Sequence, residues 1–291
     1  MSDTARNFSL QLGSLIALYV SLTAIIAVLF GVINLAFPDA AEGYWAYDSA
    51  QSGIRFGIAA LIVFFPAYLV LTRLSNMSRR KDGGAYTALT KWLVYLSLIL
   101  GGGILLGDLV AVIMTYLNGE ITARFILKAL VLFVVISAAF KYYLRDVVGY
   151  WDTHEKQSIF FGAGAVVIVV AVIVTGFYFS DSPQTVREMR IDGEQVRDLE
   201  EITWKISEYY DVHVVLPATL SVAFNTVDAP SAPEGRPPYT YQVLTDTSFE
   251  VCATFAQESR HPERVSYAPI GKTPQSWDHG VGETCFVRVV E

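Results

Sequence analysis

Residues 105–133 read LLGDLVAVIMTYLNGEITARFILKALVLF, and this stretch decides the fold because two long apolar segments meet at a short polar turn. The connection Asn118–Gly119–Glu120 has room only for a tight antiparallel helical hairpin. One charge lies in each arm, Asp108 in the first and Lys128 in the second. At about 1.5 Å per residue, Asp108 lies roughly 15 Å and Lys128 roughly 12 Å from the turn. We therefore expect the two side chains at matching depth.

The buried position of these charges has two interpretations. An isolated charge in hydrocarbon costs a few kcal/mol, so Asp108 and Lys128 are expected to face the interior of the bundle. As a structural feature, they form an intramembrane ion pair that fixes the register of the hairpin. As a functional feature, they line an ion or proton pathway. The structural interpretation is favoured because no second acid lies within any predicted crossing to continue a relay.

Two further features of the hairpin bear on packing. Gly103 and Gly107 have the small-xxx-small spacing that lets helix backbones approach closely, and they predict a helix-packing site. Arg124 lies nearer the turn than Lys128, where it is expected to pair with Glu120 or reach the lipid headgroups.

The rest of the chain repeats this apolar character. Of its 291 residues, 53% are hydrophobic and 17% are charged. Long apolar runs occupy residues 12–36, 54–74, 89–117, 121–144 and 158–180. Each run is long enough to cross the ~30 Å hydrocarbon layer as a helix. The sequence predicts a mostly α, polytopic membrane helix bundle with five transmembrane helices, followed by a small α+β extracytoplasmic domain.

The distribution of charge predicts the orientation. Residues 1–180 hold 12 Lys and Arg against 10 Asp and Glu, whereas residues 181–291 hold 9 against 18. In the short loops, nearly all basic residues lie on the side of the N-terminus, so the N-terminus is expected to be cytoplasmic and the C-terminal domain extracytoplasmic in a cell (inner) membrane. The acidic C-terminal part also argues against nucleic-acid binding, which needs a basic face.

The C-terminal part shows helix and strand signals. Ser182-Pro183 is typical of a helix start, and apolar residues then recur at helical spacing. This pattern predicts one long amphipathic helix, either continuous or broken at Asp192-Gly193. The proline-rich stretch APSAPEGRPP predicts a loop. Two strand-like segments, YTYQVLTDTSFEVCATFA with a turn near Thr245 and TCFVRVV, predict a small antiparallel sheet packed on the helix.

The only two cysteines, Cys252 and Cys285, lie in these strand-like segments. Outside the cytoplasm such a pair is expected to form a disulfide bond. A zinc site with His261 and His279 is the alternative, but the spacing lacks the close ligand pairs of structural zinc sites. No metal or other cofactor is therefore expected.

Candidate activity sites are few. Trp277 and His279 lie in the glycine-containing stretch SWDHGVGETCF, which either binds a ligand or packs as a turn. The sequence contains no nucleophile elbow, phosphate loop, HExxH motif or haem motif, so it identifies no candidate catalytic residue.

Residues 10–146 resemble an uncharacterised bacterial membrane family, Domain of Unknown Function 5671. The matching segments are IRFGIAALIVFFPAYLVLTRL, KWLVYLSLIL, GDLVAVIMTYLNGEITARFILKALV and KYYLRD, in that order. This resemblance implies a four-helix membrane module and brings no activity, cofactor or catalytic residue. The C-terminal domain resembles pilins and pseudopilins in shape, through its helix, the YY…LPATL segment and its small sheet. Since four further crossings come first, no prepilin-type processing is implied.

These observations define three parts: a four-helix membrane module at 1–157, a fifth transmembrane helix at 158–180 and an extracytoplasmic domain at 181–291. The favoured hypothesis is a non-enzymatic membrane anchor or interaction protein. Besides the lipid bilayer, its expected partner is an envelope protein or a second copy of itself. The alternative is a small transporter or channel that uses Asp108 and Lys128.

Overall fold

A computed structural model of the chain describes residues 3–38, 45–81, 88–118, 122–148, 150, 154–225, 228–260 and 276–290. The chain divides into two compact units, Met1–Ser180 and Asp181–Glu291. We call them the helical unit and the C-terminal unit. Each has a hydrophobic core of its own.

Five long helices form the described part of the helical unit: α1 (Asp3–Ala36), α2 (Trp45–Lys81), α3 (Ala88–Leu117), α4 (Ala123–Val147) and α5 (Glu155–Phe179). In the part of the chain that the structure describes, five helices are long and apolar enough to cross a membrane, which confirms the predicted helix count and the mostly α fold class. Helix α2 continues through Pro66. Helix α4 begins at the N-cap Thr122, whose hydroxyl accepts a hydrogen bond from the Phe125 amide at 3.2 Å.

Helix α1 is the centre of the helical unit, because it packs most extensively on α2 and also contacts α3, α4 and α5. Helices α3 and α4 pack on each other, as expected for the predicted hairpin. The turn residues 119–121 lie outside the described residues. The core shared by α1, α2 and α5 includes Val28, Ile54 and Val172.

The C-terminal unit begins with one long helix, α6 (Pro183–His213). Its N-cap is Ser182, whose hydroxyl accepts a hydrogen bond from the Thr185 amide at 3.1 Å. The predicted helix start is therefore confirmed. The helix runs uninterrupted through Gly193, so the break considered there is absent. A short helix, α7 (Leu220–Phe224), follows and was not predicted.

A three-stranded antiparallel sheet completes the C-terminal unit, with strand order β1 (Thr240–Val243), β2 (Ser248–Phe255) and β3 (Gly282–Val289). Both predicted strand segments and the turn near Thr245 are confirmed. Phe249, Val251 and Phe255 of the central strand are buried in one core with Leu199 and Ile202 of α6. Because side chains alternate along a strand, Cys252 points to the opposite face of the sheet.

Candidate functional site

Asp108 of α3 and Lys128 of α4 are the two residues of the predicted intramembrane ion pair. The Lys128 ammonium lies 5.9 Å from the centre of the Phe30 ring. Asp108 lies partly exposed in α3. The pairing of these two residues therefore stays a prediction.

The predicted helix-packing glycines, Gly103 and Gly107, do not pack against another described helix. Within the described residues, no atom lies within 4 Å of a Cβ built on either one. The preceding glycines, Gly101 and Gly102, face α4 instead. A Cβ on Gly101 would lie 3.6 Å from the Phe140 ring, and a Cβ on Gly102 would lie 3.8 Å from it.

Close backbone packing occurs between α1 and α2 at other glycines. A Cβ on Gly57 would lie only 2.7 Å from the Ala24 carbonyl oxygen, and a Cβ on Gly31 only 2.8 Å from that of Ala50. Only glycine lets the two helices approach so closely. Gly53 and Gly57 have the same spacing as Gly103 and Gly107, so the sequence carried this signal and it was overlooked.

Several polar side chains are buried between the helices and hydrogen-bond to each other. Ser14 and Thr72 join α1 to α2 through their hydroxyl groups at 2.7 Å, and the Ser75 hydroxyl donates to the side-chain oxygen Oε1 of Gln11 at 2.9 Å. Tyr19 and Ser97 join α1 to α3 at 2.7 Å. Because these groups satisfy one another, they help to set the register between the helices.

Arg124 and Asp146 are buried charged residues of α4. Arg124 donates from its guanidinium to the Asn34 side-chain oxygen at 3.0 Å and is only 7% exposed. Its predicted partner Glu120 lies outside the described residues. Asp146 is 9% exposed, and its burial was missed because it follows a basic, aromatic segment typical of a membrane edge.

Cys252 and Cys285 form the predicted disulfide bond. They are directly opposite each other in β2 and β3, with Cα atoms 4.0 Å apart. The bond lies on the face of the sheet away from the core, where Cys252 is buried and Cys285 exposed. It therefore links the central strand to an edge strand rather than filling the core.

The zinc alternative does not fit this arrangement. The carboxylate of Glu250 lies within 4.8 Å of both cysteine sulfur atoms, but bonded sulfurs are not available as thiolate ligands. The ring of His279 stacks at 3.6 Å on Phe255, whose side chain faces the opposite side of β2. His261 lies outside the described residues.

Trp277 and His279 are part of the core of the C-terminal unit. Trp277 is 3% exposed and packs edge to face on Phe286, and His279 is 9% exposed. Burial lowers the pKa of His279, so the imidazole is neutral at neutral pH. These contacts favour turn packing over ligand binding.

Next to them lies Arg288, which the sequence did not single out. Its guanidinium lies 4.1 Å from the centre of the Trp277 ring and donates to the Ser276 carbonyl at 2.8 Å. Burial lowers the pKa of Arg288 to about 10, which leaves the side chain charged at neutral pH. Cation–π contact with the indole offsets part of the cost of burying this charge.

Asp192 is a buried polar link between three parts of the C-terminal unit, and the sequence did not single it out for this role. Its buried carboxylate accepts hydrogen bonds from the Arg236 guanidinium at 2.9 Å and from the Gln257 amide at 2.8 Å. It also accepts from the Ala256 amide at 3.1 Å. One side chain thus joins α6, the proline-rich loop and the end of β2. The sequence signal for this burial is the spacing of Asp192 from Val196 and Leu199, which places all three residues on the same face of α6.

The comparison with family models agrees with the segments quoted above. Residues 7–143 match the model described as Domain of unknown function (DUF5671). No curated protein and no solved structure matches the chain. The likeness of the C-terminal unit to pseudopilins therefore stays a prediction. The match spans α1 to α3 and most of α4, so it covers most of the helical unit.

Proposed function

We propose that this protein is a membrane anchor that presents its C-terminal unit outside the cytoplasm for contact with another protein. One observation carries the proposal: a unit with its own core and disulfide follows a bundle of apolar helices in the same chain. The basic residues in the short loops support a cytoplasmic N-terminus, and disulfides are typical of oxidising compartments outside the cytoplasm.

The sheet of the C-terminal unit offers a surface for this contact. Helix α6 covers one face of the sheet. Among the three strands that the structure describes, β3 is an edge strand, and its outward side chains include Val287 and Val289. These two valines are 53% and 57% exposed. Edge strands with exposed apolar side chains are sites of protein association, since their backbone groups on the outer edge are open for pairing.

Site-specific photocrosslinking in cells tests the proposal. A photoreactive amino acid is placed at Val287 and, as a control, at the exposed Glu201 of α6. We expect a discrete crosslinked product from position 287, either with a second copy of the chain or with another membrane-associated protein, and none from position 201. Equal labelling at both positions, or none at either, would contradict the proposed contact surface.

Transport is the second candidate function, and Asp108 is the observation that favours it. A carboxylate in the middle of an apolar, membrane-length helix is a common feature of ion pathways. Asp108→Asn separates the two roles in proteoliposomes loaded with a pH-sensitive or sodium-sensitive dye. A transporter loses flux while its thermal unfolding is unchanged. If Asp108 has only a structural role, the wild-type protein shows no flux, and the substitution lowers its thermal stability.

A further inference from the structure

A cleft lies between the last turn of α4 and the first two turns of α5. Its volume is about 370 Å³, and it is lined by Arg145, Lys156, Gln157, Phe160 and Phe161. The two cations and the amide lie at the helix ends, and the two aromatic rings lie one turn further into the apolar helix α5. We propose that this cleft binds the phosphate headgroup of an anionic phospholipid. The inference rests on the membrane location proposed above.

The polar side of the cleft suits a phosphate. Arg145 and Lys156 bring two positive charges to the lining of the cleft, and Gln157 adds a hydrogen-bonding group. The position at the N-terminal end of α5 adds the positive end of the helix dipole. Basic pockets between membrane helices are known to hold anionic headgroups for the same electrostatic reason.

Contacts with neighbouring tyrosines hold three of the lining side chains in place. The Arg145 guanidinium lies 4.9 Å from the centre of the Tyr150 ring, and the Tyr150 hydroxyl donates to Gln157 at 2.8 Å. Phe161 stacks on Tyr142 at 5.3 Å. Because these side chains are already positioned, less conformational entropy is lost when a headgroup binds.

The apolar side of the cleft favours a lipid over a free phosphate. Phe160 is 81% exposed, and it lies about 6 Å along the helix from Lys156. This distance matches the step from a phosphate to the start of an acyl chain, and a soluble phosphate makes no use of the aromatic wall. Asp146, although adjacent to Arg145, is buried in the bundle and does not line the cleft.

Lipid retention by the purified full-length protein tests the proposal. The protein is reconstituted with equal amounts of phosphatidylglycerol and phosphatidylcholine, returned to detergent and analysed by native mass spectrometry. The test variant is Arg145→Gln/Lys156→Gln. The matched control is Arg73→Gln/Lys141→Gln, which removes the same charge from exposed residues on the same predicted side of the membrane but outside the cleft.

We expect the wild type and the control to retain phosphatidylglycerol in preference to phosphatidylcholine. The test variant should retain about tenfold less phosphatidylglycerol than the wild type. Equal losses in both double variants would overturn the site, because the effect would then be one of overall charge. A thermal shift of wild type by glycerol phosphate or inorganic phosphate equal to that by phosphatidylglycerol would overturn the lipid assignment. The result is independent of whether Val287 crosslinks to a partner.

Discussion

The two units of this protein are held together in different ways. In the helical unit, glycine brings α1 and α2 into backbone contact at Gly31 and Gly57, and small hydrogen-bonded pairs such as Ser14 and Thr72 are spread along the same helices. In the C-terminal unit, a few discrete links join distant parts of the chain. The most prominent are the Asp192 carboxylate and the Cys252–Cys285 disulfide.

This difference follows from the surroundings proposed for each unit. Helices in lipid gain little from burying apolar side chains, so they associate through close packing and many weak polar contacts. A small domain in water has a limited apolar core and depends more on individual strong links. Single substitutions should therefore cost more in the C-terminal unit. Hydrogen-exchange mass spectrometry of the full-length protein reports the opening free energy of each unit separately.

The largest effect is expected for Asp192→Ala. The substitution leaves the Arg236 guanidinium without its carboxylate and leaves two backbone amides unsatisfied, so the C-terminal unit should lose about 3 to 5 kcal/mol. The control is Asp211→Ala, an exposed position on the same helix, with an expected change of about 0.5 kcal/mol or less. Similar hydrogen-exchange protection of the C-terminal unit in both variants would show that Asp192 is not a central link in this unit.

The next effect is expected when the disulfide is removed by Cys252→Ser/Cys285→Ser. The chain-entropy model predicts a loss of about 3 to 4 kcal/mol for a loop of this length. Chemical reduction of the wild-type protein should give the same loss in peptides of β2 and β3 and leave α1 to α5 unchanged. If reduction destabilises the helical unit equally, the two units do not open separately.

A smaller effect is expected for Gly57→Ala in the helical unit. The new Cβ would lie 2.7 Å from a backbone carbonyl oxygen that cannot move without shifting α1, which should cost about 1 to 3 kcal/mol. Gly107→Ala is the matched control, since no described atom lies within 4 Å of its Cβ. It should be neutral or slightly stabilising because alanine favours helix. A greater cost at Gly107 would show that this face is packed against a partner.

The smallest effect is expected from His279. Burial lowers its pKa in the folded protein, so the unfolded chain binds the proton more readily as the pH falls below about 6.5. The stability of the C-terminal unit should therefore be full above that pH and decline below it. His279→Gln should reduce the decline, whereas His213→Gln, at an exposed position, should leave it unchanged. Identical pH profiles for all three proteins would contradict the buried, neutral imidazole.

The sequence predicted the elements of the fold well, because their signals are local. Apolar length identified the five helices, the Ser182-Pro183 pair marked the start of α6, and alternation around Thr245 located β1 and β2. The disulfide followed from two cysteines in neighbouring strand segments. Each of these inferences depends only on neighbouring residues or on a single possible pairing.

The candidate site was less predictable, because it depends on how each helix is rotated about its axis. Matching depth does not determine whether Asp108 and Lys128 face each other, and the spacing of Gly103 and Gly107 does not determine which helix they face. Gly53 and Gly57 have the same spacing and are packed. Likewise, the role of Asp192 depends on Arg236, which is 44 residues away and reached only through the tertiary fold.

Thiol labelling in intact cells tests most directly whether the C-terminal unit is an oxidised domain outside the cytoplasm. Cells with a permeabilised outer layer are treated with a membrane-impermeant maleimide, before and after an impermeant reductant. We expect no label on the untreated protein and label on both Cys252 and Cys285 after reduction. Label that appears only after lysis and without reductant would contradict both the disulfide and the orientation.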